Sequence, residues 1–126
     1  MNSRVFYTKP SITDLEIGYA TDAATNGWGE NCYAYINLFE VKFKKHIGVG
    51  HAIATSSCTG ALTIAIASLG LKKGSEIILS NINWIATVSP IANLGFKPVF
   101  CDIDLKNWCI DPLKLRTLIN KNTGAI

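Results

Sequence analysis

Three apolar runs of strand length recur from residue 51 onward: HAIAT (51–55), EIILS (76–80) and PVFCDI (98–103). None alternates with polar residues. A strand wetted on one face alternates, whereas a strand covered on both faces reads as a continuous apolar run, the habit of parallel strands. Strands are therefore expected near 51–56, 76–80 and 98–103. Two helix-length segments, 59–69 and 84–94, lie between the runs. Asp111 and Pro112 then form an N-cap and first-turn pair for a helix reaching about Asn120. The closing GAI reads as the start of a fourth strand. This order predicts an α/β fold, three layers deep (α/β/α), with a mostly parallel sheet and right-handed crossovers. The 59–69 segment is apolar nearly all round, through Leu62, Ile64, Ala65, Ile66 and Leu69, so burial on more than one side is expected.

The first half follows a different pattern. Residues 1–12 read as an extended arm, with Pro10 blocking an early helix. TDLE fits a capping box in which Thr13 caps and Glu16 reaches back. That helix is expected to run to about Asn26, with Gly27 as its stop. GWGENCYAY reads as loop. A second helix spans about 36–46, with Leu38, Phe39, Val41 and Phe43 on an apolar face and Lys42, Lys44 and Lys45 largely off it.

Composition excludes several classes of function. At 48% hydrophobic and 17% charged, the 126 residues suit a folded domain with a core, not a disordered tail. The net charge of +3 is scattered, and Lys42, Lys44 and Lys45 read as a solvated face. A nucleic-acid partner would need a denser basic stripe with stacking aromatics, so none is expected. No apolar run reaches the roughly 18 residues of a membrane span, and no apolar leader follows the first Met. Cys32, Cys58, Cys101 and Cys109 have no C-x-x-C spacing, and neither His stands near a Cys in sequence. Free thiols in the cytoplasm are expected, with no metal site.

The segment SSCTGAL admits two readings. Ser56, Ser57, Cys58, Thr59 and Gly60 fall between a strand-like run and a helix. The unpaired amides of a first helical turn, the positive end of the helix dipole and the nearby hydroxyls form an anion cradle. Alternatively, Ser and Thr simply cap the helix. GVG at 48–50 precedes its strand-like run, which is the wrong order for a dinucleotide fingerprint, and no P-loop lysine follows Gly60. At the next strand end, Trp84 in SNINWIAT is either core packing or an aromatic plane beside the same crevice. Asp102 and Asp104, at the third strand end, read as loop caps or surface acids ahead of metal ligands.

Taken together these stretches resemble the DegT-type PLP-dependent sugar aminotransferases, the group that includes GDP-perosamine synthases. The resemblance is carried by KPSITDLEI, by the long stretch from GWGENCYAY through SSCTGAL to SNINWIAT, by GFKPVFCDIDLKNWCIDPLKL and by NKNTGAI. It implies part of the large domain of the fold-type I aminotransferases across residues 1–126. It implies that Ser57, Cys58, Thr59 and Gly60 hold the phosphate of pyridoxal 5'-phosphate (PLP) and that Trp84 stacks on its ring. It sets the segment around Trp28 near a dimer interface and the sugar site. Cys58 stands where Gly or Ala is usual, and Ser75 replaces the acid of a GDE motif. The implied activity is transamination of a nucleotide-linked keto-sugar, with glutamate as amino donor, by a homo-oligomer. No lysine of this sequence stands in the family's Schiff-base motif, so no catalytic residue is assigned. The alternative is a non-catalytic remnant that only self-associates or binds phosphate.

Overall fold

The structure is a computed structural model that describes Arg4, Thr8 and residues 10–126. The expected N-terminal arm lies largely outside the described residues. The chain divides into two compact units, residues 1–54 and 55–126.

The first unit carries α1 (Asp14–Asn26), a short 3-10 turn (Gly29–Asn31) and α2 (Ala34–Ile47). The capping box forms as its residue types demand. The Thr13 hydroxyl accepts from the Leu15 amide at 3.3 Å, and the Glu16 carboxylate accepts from the Thr13 amide at 2.7 Å. α1 stops where a side chain cannot continue: a Cβ on Gly27 would sit 2.5 Å from the Ala23 carbonyl oxygen. The stretch expected to be loop is shorter than predicted, because α2 begins at Ala34. Tyr19 and Tyr35 meet edge to face, with ring centroids 5.9 Å apart, and the Tyr35 hydroxyl donates to Asp22. Leu38, Phe39, Val41 and Phe43 all stay exposed within the described residues. Lys42 is not off the apolar face: it borders the same groove as Phe39 and Phe43.

The second unit contains α3 (Cys58–Ser68), β1 (Glu76–Ser80), α4 (Ile85–Asn93), β2 (Lys97–Cys101), α5 (Pro112–Leu118) and β3 (Thr123–Ala125). The sheet is parallel, in the order β2-β1-β3. β1 is therefore central and β3, the expected strand at GAI, is an edge. Ile77 and Leu79 pack with Ile91 of α4, and Ile66 of α3, Val88 and Phe96 close around them. Strand alternation turns Ile78 to the other face. The Cys101 thiol reaches the carbonyl of Asp111, the cap residue of α5, on that side, which makes the third layer. Ile78 is 1% exposed and Cys101 is fully buried.

Two further expectations fail. Residues 51–56 form no strand among the described residues, and Ile53 is 78% exposed. The Ala54 amide, which would feed a ladder, donates instead to the Glu40 carboxylate at 2.8 Å. A strand exists only where a neighbour pairs with it, and an apolar run alone does not supply one. Nor is α3 buried on several sides: Ile64 is 56% exposed, and no α3 residue is fully buried. Among the described elements α4 is its main packing partner, so only the side turned to α4 and the sheet is covered.

Burial and the neighbouring Asp102 charge push the Cys101 thiol above its usual range. Cys32, Cys58 and Cys109 are exposed. Ellman's reagent should thus label those three rapidly and Cys101 only after unfolding. Fast labelling of all four thiols under native conditions would contradict this packing.

Glu76 is the one charged side chain buried among the described residues. Lys97 donates to it at 2.9 Å and the Asn120 side-chain amide at 2.8 Å. The Lys97 hydrogen bond, then that of Asn120, hold its carboxyl below the ordinary value of about 4.3. A depressed pKa contributes stability that is complete above the unfolded value and is lost as pH falls through the folded one. Thermal midpoints should therefore drop below about pH 4. Glu76→Gln should lower the neutral-pH midpoint and flatten that acid slope; an unchanged slope would assign it to other carboxylates.

Candidate functional site

α3 opens on a polar cap. Ser57, in extended conformation, places its Oγ 3.0 Å from the Gly60 amide, which donates to it, while the Ser57 carbonyl accepts from Ala61 at 3.0 Å. The capping reading of SSCTGAL is thus realised. It leaves the amides of Cys58 and Thr59 as first-turn donors without an intrahelical acceptor. Ser56, Ser57 and Cys58 are exposed, and Thr59 and Gly60 are half-buried. Thr59 gives its carbonyl to the Thr63 hydroxyl at 2.8 Å. A Cβ on Gly60 would press to 3.3 Å from Ser57 Oγ, so the glycine keeps the capping hydroxyl in place. The Gly60 amide is engaged by this cap, which moves the outward donors to Cys58 and Thr59. The run before the cap is not a strand here, so the cradle stands at a helix N-terminus alone.

A second constellation lies at the carboxyl ends of β1 and β2. Trp84 is the N-cap residue of α4 and 67% exposed, so it is not a core tryptophan. With Ser80, Asn81, Asn83, Val88 and Phe100 it lines a groove of about 230 Å³. Asn83 Oδ1 accepts from the Trp84 amide at 2.8 Å and from the Thr87 hydroxyl at 3.0 Å, fixing where α4 starts. None of residues 56–60 lines this groove. Sequence reasoning missed Asn81 and Asn83. The signal was there in SNIN, a polar run directly after an apolar strand, where α/β sheets present their ligand-facing loops.

Asp104 closes a turn, accepting from the Lys106 amide at 2.9 Å and the Asn107 side chain at 3.2 Å. Asp102 accepts from the Asn81 side-chain amide at 2.8 Å and from Lys114 at 3.1 Å, and its carboxylate raises the Lys114 pKa. Both acids therefore act as loop caps or surface ion partners. In the first unit the Trp28 indole donates to the Ala24 carbonyl at 2.8 Å, capping the end of α1.

Residues 10–126 match the sequence pattern of the DegT/DnrJ/EryC1/StrS aminotransferase family. The chain belongs to that family. Among curated members, the spore coat polysaccharide biosynthesis protein SpsC of Bacillus subtilis is 35% identical over 120 residues, 95% of this chain and 31% of that protein. GDP-perosamine synthase of Vibrio cholerae is 32% identical over 118 residues, 94% of this chain and 32% of its own. The chain thus spans about a third of the length of the relatives it matches. Among solved structures, the aminotransferase TlmJ of Streptoalloteichus hindustanus superposes with a TM-score of 0.82 at 26% identity, covering 95% of this chain and 33% of its own. An E. coli GDP-4-keto-6-deoxy-D-mannose-3-dehydratase with bound hydrated PLP gives 0.79 at 29% identity, over 91% of this chain and 31% of that one. The parallel sheet with flanking helices is accordingly part of the fold of the DegT/DnrJ/EryC1/StrS aminotransferases. No helix among the described residues is long and apolar enough to cross a membrane.

Proposed function

We propose that these 126 residues form the N-terminal part of a PLP-dependent aminotransferase of nucleotide-linked keto-sugars and supply its phosphate cradle and ring platform. The observation that carries this reading is the α3 N-terminus, whose Cys58 and Thr59 amides lie beside the Ser57 and Thr59 hydroxyls. That donor set suits a phosphate dianion: free amides, a positive helix end and hydroxyls, with no acidic side chain in the first turn. Ser57 Oγ accepts from Gly60 and keeps its own proton to donate outward. The exposed Trp84 ring offers a flat apolar surface that shields one face of an aromatic ring from water. PLP, when bound, supplies the electron sink of amino-group transfer. The residues here bind and orient it, and no lysine among them stands in the family's motif. Glutamate as amino donor, a keto-sugar carried on a nucleotide, a homo-oligomer and a cytoplasmic setting complete the proposal.

PLP titration of the purified chain, followed by visible absorbance, tests it. Saturable binding that gel filtration reverses is expected, with no amino transfer from glutamate to a keto-sugar. Absence of any PLP binding overturns the cradle. A borohydride-fixed adduct on a single lysine overturns the statement that none of these lysines serves.

A further inference from the structure

The loop of residues 81–84 hangs between β1 and α4, and several of its side-chain bonds are local. Ser80 Oγ accepts from the Ile82 amide at 3.2 Å, and Asn83 Oδ1 accepts from the amide of Trp84 just ahead of α4. A side-chain link from this loop to the end of the neighbouring strand is the pair Asn81–Asp102. An ionised carboxylate only accepts, so Asn81 must present its NH₂ to Asp102 and its carbonyl oxygen to the other side. The Asn81 backbone amide also donates to the Cys101 carbonyl at 3.0 Å. Asn81 is thus held at two points by the end of β2, three residues before Trp84. Asp102 is held in turn: its carbonyl accepts from the Asp111 amide at 3.0 Å, and its second carboxylate oxygen takes the Lys114 ammonium at 3.1 Å. Asp102 and Lys114 are both more than half exposed, where an ion pair contributes little to stability. Orientation of the loop is what this cluster of bonds supplies.

We propose that Asp102 is a positioning residue: by gripping Asn81 it fixes the loop from which Trp84 projects into its groove. The consequence for the cofactor rests on the reading of Trp84 as the ring platform.

Amide hydrogen exchange on the chain tests this without any ligand. Asp102→Ala should speed exchange at the Ile82 and Trp84 amides by about 10-fold and leave Ile77–Leu79 of β1 unchanged. Asn81→Ala should do the same, and the double variant should go no further, because the two side chains make one interaction. Asp102→Asn retains an acceptor for Asn81 and should restore slow exchange. PLP titration of the same variants should show affinity reduced by about 5-fold in the two alanine variants and near normal in Asp102→Asn. Unchanged loop exchange in Asp102→Ala, or equal acceleration in β1, overturns the proposal. Loop exchange that responds in a chain taking up no PLP upholds the positioning role and removes the cofactor reading instead.

Discussion

Ile78→Ala is expected to destabilise the second unit by about 2–5 kcal/mol, the range for truncating a closely packed isoleucine. The cause is specific to the site. Ile78 is 1% exposed on the central strand, flanked in register by Val99 of β2. The lost methyl groups remove transfer free energy, and the rigid strand backbone cannot collapse into the space left behind. Domains of this size commonly hold only about 5–15 kcal/mol in all, so the variant should lie close to unfolding at body temperature. Urea denaturation with an unchanged slope would report it. Ile53→Ala is the control: at 78% exposure it should cost no more than about 0.5 kcal/mol. Equal costs for the two would show that the interior relaxes around the cavity.

Thr59→Val is expected to weaken PLP binding by about 1–3 kcal/mol, the worth of one hydrogen bond to a charged oxygen. The substitution keeps the shape and removes only the hydroxyl, so the helix cap at Ser57 and the backbone amides remain. Thr59→Ser should retain most of the affinity. Trp84→Ala should cost about 0.5–1.5 kcal/mol beyond the lost contact area. Unaltered affinity in Thr59→Val would place the phosphate elsewhere.

What the sequence made legible follows from how local each signal is. The capping box at Thr13–Glu16, the Asp111–Pro112 start of α5 and the stop at Gly27 each depend on a few neighbouring residues, and all appear where expected. β1 and β2 were legible because their apolar runs meet each other in register. HAIAT carries the same apolar signal and forms no strand, because pairing belongs to a partner and not to the run itself. The burial of α3 was over-read for a similar reason: composition reports how much apolar surface a helix has, while neighbours decide how much is covered. At the site, Ser57 as cap was a local fact. The hold of Asp102 on Asn81 joins residues at the ends of two strands, and no spacing rule in the sequence announces it.

The strand order β2-β1-β3 also imposes a timetable. Residue 76 meets residue 97 on one side and residue 123 on the other. Closing the longer loop costs about 0.7 kcal/mol more chain entropy than closing the shorter one. The β1–β2 pair with α4 across it is thus the natural first event, and β3 seals the remaining edge last. During synthesis the central strand waits with that edge bare until the residues around Thr123 have emerged. The most apolar strand of the sheet therefore carries an unpaired edge throughout that interval, open to mispairing with another nascent chain.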